Sequence, residues 1–229
     1  MALDGITVAA LAHEIRTKCL GGRVAKIAEP EPNEILLTIK NGPQQRLVLS
    51  ADPSLPLVYL TCANKPSPMT APGFLMLLRK HLLNGRITGV SQPGLERALR
   101  IDIEHLNELG DLKRKSLILE LMGKYSNLIF VDDEDTILDA IRRVPSSVSS
   151  VREVLPGRAY FLPNTLNKHD PLTLSEEAFL PLFDERHTPV EKAVNECFTG
   201  LSPLMAREIT AAAGFEGSEC AADLSREDL

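Results

Sequence analysis

Five basic residues are the side chains best suited to binding a charged partner. They lie in three short stretches of the sequence and are Arg79, Lys80, Lys124, Arg142 and Arg143. Guanidinium and ammonium groups bind phosphate through charge-assisted hydrogen bonds, and such binding weakens as salt is added. The same clusters also occur as solvated faces that only keep a protein soluble. From the residues alone, phosphate contact and simple solvation both remain open for these stretches.

The familiar patterns of catalytic and metal sites are incomplete in this sequence. His13-Glu14 would begin an HExxH zinc motif, but residue 17 is threonine. The other histidines lack ligand spacing, and the four cysteines form no CxxC pair. Neither GxGxxG nor a P-loop is present. We therefore expect no catalytic residue, no metal site and no cofactor.

Charge is distributed unevenly along the chain, whose net charge is −6. Residues 170–229 hold only four Lys and Arg against thirteen Asp and Glu, so the acidity belongs to this last quarter. The preceding 169 residues are mildly basic. A mildly basic surface permits a nucleic-acid partner without requiring one.

Nothing in the sequence predicts association with a membrane. No run of about 18 apolar residues is present. The first residues also lack the basic and then apolar layout of a secretion signal. We expect a cytoplasmic protein whose widely spaced cysteines stay reduced.

The elements expected to position these residues begin with a helix over residues 4–20. Asp4 is placed as its N-cap, and Gly21-Gly22 are placed as its stop. A second helix is predicted over residues 73–84, ending at Gly85. Apolar residues lie at helical spacing in both.

Strands are predicted between and after these helices. Asn41-Gly42 indicates a hairpin, and the alternation of Leu99, Ile101 and Ile103 with charged residues indicates a sheet with one wet face. The predicted strands cover residues 23–29, 34–40, 45–50, 57–61, 86–109, 115–122, 127–131 and 137–144. In this scheme Lys113-Arg114-Lys115 falls in a hairpin loop, and Gly123-Lys124 forms a tight turn that is structural if it has no further role.

The last part of the chain has a helical pattern. Ser202-Pro203 is a helix start, and residues 191–213 are predicted to form two helices joined by the turn Thr199-Gly200-Leu201. The chain then stops without a clear domain finish, which predicts a fragment of a longer protein. The fold class expected from the residues is α+β, with a small helical domain at the end.

Several long motifs, in order along the chain, resemble the NFACT family, whose bacterial members are of the RqcH type. The matching segments are Asp4-Gly5, GGRVAKI at 21–27, PGFLMLLRKHL at 72–82, QPGLER at 92–97, ELMGKYSNLI at 120–129, residues 137–144, VLPGRAY at 154–160 and GLSPL at 200–204. The resemblance covers nearly the whole chain.

The resemblance implies an NFACT N-terminal domain over residues 1–172 and a helix-hairpin-helix domain over residues 173–229. The first is similar to the N-terminal domain of formamidopyrimidine-DNA glycosylases. Those enzymes use an N-terminal proline amine with an acidic neighbour, whereas Ala2 and Leu3 stand here. We therefore expect no glycosylase activity and no enzyme activity of the chain's own.

The resemblance also implies a function in ribosome quality control. RqcH-like proteins bind the large ribosomal subunit with a stalled peptidyl-tRNA and recruit alanyl-tRNA, so that the nascent chain receives a C-terminal alanine tail. The family engages tRNA through an Asp-Arg pair, for which this sequence has Glu96-Arg97. Arg97 can form bidentate bonds to phosphate or a base edge, and the carboxylate of Glu96 can orient it. Asp4 matches an acidic residue tied to tRNA engagement, although an N-cap explains it equally well.

Two other functions stay open as alternatives. The older family label, fibronectin-binding protein A, implies a surface adhesin that binds fibronectin. The shared glycosylase architecture implies a DNA-repair enzyme. Neither the oligomeric state, nor the amino acid on the tRNA, nor the effect of glutamate at position 96 follows from the residues.

Overall fold

The structure of the chain, a computed structural model, describes residues 3–66, 68, 71–107, 109–163 and 167–224. Two compact units make up the chain. Unit 1 comprises residues 1–3, 8–93 and 97–163, and unit 2 comprises residues 4–7, 94–96 and 164–229. A compact unit is not by itself an independently folding domain, so the domain boundary at residue 172 stays a prediction.

Unit 1 is built on a large antiparallel sheet, which makes the fold α+β. Its strands are β1 (Arg23–Ala28), β2 (Glu34–Lys40), β3 (Gln44–Ser50), β4 (Leu57–Leu60), β5 (Arg86–Ser91), β6 (Ala98–Leu106), β7 (Leu112–Glu120), β8 (Asn127–Val131) and β9 (Ile137–Ala140). Their order in the sheet is β4-β3-β2-β1-β5-β6-β7-β8-β9. Asn41-Gly42 closes the β2–β3 hairpin as predicted, with Gly42 at φ 65°.

Two helices bury their apolar faces on one side of this sheet. The helix α1 (Gly5–Cys19) contributes Val8, Ala12, Ile15 and Cys19, and α2 (Gly73–Leu82) contributes Phe74, Leu75, Leu78 and Leu82. These positions recur at intervals of three and four residues, which keeps them on one helix face. Gly21, at φ 82°, follows α1 in the left-handed conformation predicted for its stop.

The strands β7 and β8 are buried on both faces. Leu117 and Leu119 pack in the main core under the helices. Ile118, between them, points to the opposite face and packs with Val154 from the segment that follows β9. Successive strand residues face opposite sides, so a continuous apolar run is the pattern of a strand covered twice.

The structure corrects three predicted strand limits. The predicted strand 86–109 is two strands, β5 and β6, separated by the segment 92–97, in which Pro93 cannot donate to a ladder and Gly94 has φ 52°. Lys113-Arg114-Lys115 lies inside β7, because β6 ends at Leu106 and β7 begins at Leu112, so the turn falls earlier in the sequence than expected. The last strand ends at Ala140, so Arg142 and Arg143 follow it.

Unit 2 has a small core of its own, made by short helices. They are α3 (Glu176–Phe179), α4 (Val190–Cys197) and α5 (Pro203–Ala212). The buried core residues are Phe183, Val190, Ala193, Val194, Cys197, Phe198, Ala206 and Ala221. Across the described part of the chain, no helix has both the length and the apolar character needed to cross a membrane.

Candidate nucleic-acid interface

The turn Thr199–Ser202 joins α4 to α5 and forms hydrogen bonds with Asp4, Gly5 and Glu96 in unit 2. Ser202 is the N-cap of α5, and its Oγ accepts a hydrogen bond of 3.2 Å from the Met205 backbone N–H. Gly200 has φ 74°, a conformation that glycine adopts without steric cost. The sequence predicted both the turn and the cap, and both are confirmed.

Asp4 is held by this turn while it caps α1. Its Oδ1 accepts from the backbone N–H of Thr7 at 2.9 Å and from the Thr7 hydroxyl at 2.7 Å, which confirms the predicted N-cap. Its Oδ2 accepts from the Ser202 hydroxyl at 2.7 Å. Burial opposes ionisation, but the bonds from Thr7 and Ser202 outweigh it and hold the pKa of Asp4 below its ordinary value.

The backbone around Asp4 also meets the turn at very short range. Gly5 donates its N–H to the Gly200 carbonyl oxygen at 2.6 Å. A Cβ on either Gly5 or Gly200 would lie 2.0 Å from the carbonyl oxygen of Leu95. These two positions therefore require glycine, because any other side chain would overlap the segment that carries Glu96.

Glu96 is anchored by the first residue of the same turn. The Thr199 hydroxyl donates to Glu96 Oε1 at 2.7 Å. Both carboxylates that the sequence analysis assigned to tRNA binding, Asp4 and Glu96, are thus bonded to one four-residue turn. The role of Glu96 in orienting Arg97 stays a prediction.

Arg97 opens the segment of unit 1 that follows. Its carbonyl accepts from the Leu121 N–H at 2.8 Å, which fixes its backbone, and its side chain is half-buried. Its guanidinium forms no hydrogen bond or ion pair with any residue that the structure describes.

Arg100, three residues on, gives the contrasting case. Its guanidinium donates to Asp102 at 2.9 Å, Asp135 at 2.7 Å and Ser116 at 3.0 Å. Burial lowers the pKa of Arg100, but the bonds to Asp102 and Asp135 outweigh it and raise the pKa overall. The guanidinium of Arg100 is therefore used inside the fold, whereas that of Arg97 has no such acceptor among the described residues.

The turn Gly123–Tyr125 presents a cation and an aromatic ring side by side. Gly123 has φ 56°, which fits the tight turn predicted from the sequence. Lys124 is exposed, with its Nζ 4.9 Å from the centre of the Tyr125 ring, and Tyr125 is 71% exposed. An exposed ring beside a cation can stack on a base while the cation meets a phosphate.

Two buried polar side chains hold this turn in place. The Ser126 hydroxyl accepts from the Met122 N–H at 2.8 Å. The Asn127 amide donates to the Arg142 carbonyl at 2.8 Å and accepts the Arg142 N–H at 3.2 Å. The sequence Met-Gly-Lys-Tyr-Ser-Asn is therefore a turn with its own internal supports, which carries Arg142 beside it.

The remaining basic candidates differ in how far they are already engaged. The Arg142 guanidinium donates a single long bond within the described residues, of 3.4 Å to the Lys124 carbonyl, and burial lowers the pKa of Arg142 against the attraction of Asp52. Arg143 forms a bidentate pair with Asp139 at 2.8 and 3.0 Å. Arg79 donates to the Ile27 carbonyl at 3.0 Å. Lys80 is exposed on α2.

Sequence reasoning did not single out Thr199, Ser202 or Tyr125 as candidate site residues. Thr199 and Ser202 were seen only as a turn and a cap, and Tyr125 only as part of a motif. The Thr199 and Ser202 hydroxyls bond carboxylates that lie 103 and 198 positions away, which leaves no local pattern, whereas Tyr125 could have been found as an aromatic next to Gly-Lys. Within the described residues, no cluster of three His, Cys, Asp or Glu could hold a metal ion.

The chain with this sheet and these helices belongs to the NFACT family. The model of the NFACT N-terminal and middle domains matches residues 4–229. The family predicted from the sequence motifs is thereby confirmed.

Named relatives and solved structures agree with this assignment. The chain is 37% identical over 216 residues to the Rqc2 homolog RqcH of Bacillus subtilis, covering 93% of this chain and 38% of that protein. It is 28% identical over 143 residues to the yeast ribosome quality control complex subunit 2, covering 62% of this chain and 13% of that protein. The N-terminal structure of the fibronectin/fibrinogen-binding protein from Streptococcus suis superimposes with a TM-score of 0.86 at 31% identity, covering 95% of this chain and 82% of that one.

The names of these relatives indicate the general function of the family. The names RqcH and Rqc2 place the chain in a family of ribosome quality control factors. The chain spans about 38% of the length of the Bacillus relative.

Proposed function

We propose that this chain is the tRNA-binding and large-subunit-binding part of an RqcH-like ribosome quality control factor. In this proposal the whole factor acts in the cytoplasm on large subunits that carry a stalled peptidyl-tRNA. It recruits alanyl-tRNA for C-terminal alanine tailing. The ribosome makes the peptide bonds, so the chain contributes binding and positioning and is not an enzyme.

The observation that carries the proposal is the guanidinium of Arg97. It is half-buried, its backbone is fixed by Leu121, and its donors are not used by any described residue. Because the residue is only half-buried, water can occupy these donors in the free chain, and an anion can replace that water without breaking an internal bond. A phosphate or a guanine edge offers the two parallel acceptors that a guanidinium fits.

Asp4 and Glu96 support the proposal as positioned acceptors. Both are fixed by the turn Thr199–Ser202, so their carboxylates do not need to be ordered when a ligand binds. Carboxylates accept hydrogen bonds from base amino groups, whereas the phosphates of a nucleic acid offer them no donor. We infer that this turn with α4 and α5 forms the helix-hairpin-helix module of the family, and that unit 1 has the architecture of the glycosylase N-terminal domain without its catalytic amine.

The turn that bears Lys124 and Tyr125 would contribute contacts of a second kind. The Tyr125 ring is 71% exposed beside the Lys124 ammonium, so its face is available for stacking on a base. Together with Arg142, it would supply stacking and phosphate contacts that do not depend on sequence.

The experiment uses Arg97→Gln and a matched control, Arg114→Gln. Arg114 is an exposed arginine in β7, so its replacement removes one positive charge without touching the proposed site. Affinity for a labelled alanine tRNA transcript would be measured by fluorescence anisotropy for the 229-residue chain. Loss of charge-assisted bonds predicts binding at least about tenfold weaker for Arg97→Gln and about twofold or less for the control.

A second measurement addresses the function of the whole factor. Arg97→Ala in the full-length protein is expected to abolish alanine tailing in cells while leaving the melting temperature unchanged. Unaltered tailing in that variant would remove Arg97 from the mechanism. Equal tRNA affinities of the two glutamine variants would do the same for the isolated chain.

A fibronectin-binding adhesin is the second candidate, favoured by one observation. A structure with a TM-score of 0.86 to this chain carries the name fibronectin/fibrinogen-binding protein. Proteolysis of intact cells separates the two functions, because an adhesin would be cleaved from the surface and a ribosomal factor would be protected. A borohydride trapping assay on an abasic site tests the glycosylase alternative, for which no adduct is expected.

A further inference from the structure

A small cavity in unit 1 is lined by several basic side chains. Of these, only Lys80 was also considered above as a candidate contact for tRNA phosphate. The cavity has a volume of about 310 Å³ and lies where the end of α2 meets the ends of β6 and β7. Its lining includes Lys80, His81, His105 and Lys115, together with Leu106 and Leu109. We refer to it as the basic pocket. None of its lining side chains within the described residues is acidic.

Lys115 and His105 form an unusual pair in this pocket. Nζ of Lys115 lies 2.8 Å from Nε2 of His105. Nδ1 of His105 lies 3.2 Å from the carbonyl oxygen of Leu106, which can only accept a hydrogen bond. Nδ1 must therefore carry the ring hydrogen, and Nε2 accepts from the ammonium, which can only donate. In this arrangement the histidine is neutral and the lysine is charged.

The electrostatic surroundings favour the neutral form of His105 and partly oppose the charged form of Lys115. Burial and the Lys115 ammonium lower the pKa of His105, with the bond to Leu106 acting against them. Burial also lowers the pKa of Lys115, with Asp133 and Asp132 acting against it. The other groups facing the pair are Lys113, opposite His105 in the strand register, His81, whose ring centre is 6.0 Å from that of His105, and Lys80.

This arrangement makes a dianion a better ligand than a neutral or singly charged group. A bound anion attracts the Lys115 ammonium away from Nε2, and the freed nitrogen then gains a proton that its surroundings had disfavoured. The Lys115 ammonium and the protonated His105 together match the double negative charge of a phosphomonoester, whose second pKa is about 6. A volume of about 310 Å³ exceeds that of a phosphate group and leaves room for an attached moiety.

The apolar rim suits that attached moiety. Leu106 is 68% exposed and Leu109 is 87% exposed, and both line the pocket beside the basic wall. Exposed leucines next to converging cations provide contact for an apolar or planar group joined to the phosphate, such as a nucleoside.

We propose that the basic pocket binds the phosphomonoester group of a small ligand such as a nucleotide. In the bound state Lys115 donates to a phosphate oxygen instead of His105, and His105 takes one proton from the solvent at Nε2 and donates it to the phosphate as a second hydrogen bond. This site is distinct from the one that contains Arg97, and its existence does not depend on tRNA binding.

The experiment measures binding of adenosine 5′-monophosphate to the 229-residue chain by calorimetry at pH 7.5, where the ligand is already a dianion. Runs in buffers with different heats of ionisation report protons taken up on binding. Adenosine serves as the ligand without phosphate, and the dinucleoside ApA as a ligand with only a phosphodiester. We expect the monophosphate to bind with proton uptake, and both other ligands to bind at least about tenfold more weakly.

Variants locate the site. Lys115→Gln is expected to weaken monophosphate binding about tenfold or more, whereas Arg114→Gln, on the same strand but the opposite face, should change it by about twofold or less. His105→Asn should abolish proton uptake. Because a replacement can disturb the strand, the ring nitrogens of His105 would also be followed by NMR in the unaltered chain, where Nε2 should become protonated as ligand is added.

Three outcomes would overturn the proposal. Equal binding of adenosine and the monophosphate would show that the phosphate is not recognised, and equal binding of ApA would remove the preference for a monoester. An unchanged Nε2 signal at saturation would refute the switch at His105. Loss of tRNA binding in Arg97→Gln with normal monophosphate binding would leave this site standing and affect only the proposed function.

Discussion

The Ser202 hydroxyl donates a hydrogen bond of 2.7 Å to Asp4 Oδ2 and accepts one of 3.2 Å from the backbone N–H of Met205. One hydroxyl therefore caps α5 and also fixes the carboxylate that caps α1. The arrangement is possible because a hydroxyl has one donor and two acceptor positions. It gives Asp4 a structural role that any part in tRNA binding must share, and the two roles can be separated by experiment.

Replacing Asp4 with alanine should destabilise the chain, because α1 loses its N-cap. The expected loss is about 1–2 kcal/mol at pH 7, measured by urea unfolding. Circular dichroism is the appropriate probe, since the sequence contains no tryptophan. Asp4→Asn keeps a capping oxygen and should lose less. A loss as large in Asp4→Asn as in Asp4→Ala would show that the charge, not the cap, dominates.

The contribution of the Asp4 charge should also depend on pH in a defined direction. Its pKa in the folded chain lies below the ordinary value of 3.8, so the ionised form stabilises the fold. That stability is fully present above pH 4 to 5 and disappears as the pH falls through the folded-state pKa. The difference in melting temperature between wild type and Asp4→Asn should therefore be present at pH 7 and shrink as the pH falls below 4, and a constant difference would contradict this.

Gly200 should tolerate alanine much less well than another glycine of the same backbone conformation. Its φ is 74°, and an added Cβ would lie 2.0 Å from the Leu95 carbonyl oxygen. Gly214, in the same unit, has φ 94° but no atom within 4 Å of an added Cβ. Gly214→Ala therefore measures the conformational cost alone, about 1 kcal/mol.

Gly200→Ala adds a steric overlap with backbone, which a flexible side chain cannot relieve. We expect it to lose at least about 2 kcal/mol more than Gly214→Ala in urea unfolding, or to fail to fold. Equal losses in the two variants would mean that the turn and the segment around Leu95 separate easily. In that case the anchoring of Glu96 by Thr199 would also be weak.

Some parts of the molecule could be predicted from the sequence, and others could not. The helices, the β2–β3 hairpin and the cap at Ser202 follow from patterns within a few residues, because capping, turn conformation and amphipathic spacing are local effects. The break between β5 and β6 was missed, although Pro93 and Gly94 are visible in the sequence, because the flanking alternation dominated. Arg97 was found only through the resemblance to a family.

The contacts that position the candidate site lie beyond such patterns. Thr199 and Glu96 are 103 positions apart, and no property of either residue alone indicates their hydrogen bond. The same holds for Lys115 and His105, whose pairing depends on the strand register of β6 with β7. Such long-range pairs form when whole helices and strands pack together. The residues next to each partner in the sequence do not indicate that packing.

A buried cluster in unit 1 yields a further prediction about stability. Glu120 is fully buried and accepts from the Tyr160 hydroxyl at 3.0 Å and from the Arg152 guanidinium, which also donates to the Phe161 carbonyl. Arg152 thereby ties the segment after β9 to the end of β7. Burial and the nearby Glu120 carboxylate raise the pKa of Tyr160 and keep its phenol protonated.

Arg152→Met should cost about 3–5 kcal/mol, because it leaves a buried carboxylate without its cation. Tyr160→Phe removes one hydrogen bond and should cost about 1 kcal/mol. Adding Glu120→Gln to Arg152→Met should recover part of the loss, since the unpaired charge is removed. A loss below about 1 kcal/mol for Arg152→Met would indicate that water reaches Glu120.

Salt dependence tests whether Lys124 contacts a phosphate. Each contact that is removed should reduce the slope of log K against log salt by roughly 0.7 to 1. Lys124→Gln should show this full change, since its ammonium is exposed beside Tyr125. Arg143→Gln should change the slope less, because that guanidinium already donates two hydrogen bonds to the Asp139 carboxylate. Identical slopes for wild type and Lys124→Gln would exclude the contact.

Tyr125 separates stacking from hydrogen bonding at the same turn. If its exposed ring stacks on a base, Tyr125→Phe should keep the tRNA affinity, because phenylalanine retains the aromatic face. Tyr125→Ala should lose about 1–3 kcal/mol of binding free energy, or roughly fivefold to 150-fold in affinity. Neither change should alter the melting temperature by much, since the ring is 71% exposed. If Tyr125→Phe instead binds as poorly as Tyr125→Ala, the hydroxyl makes the contact and the ring does not serve as a stacking platform.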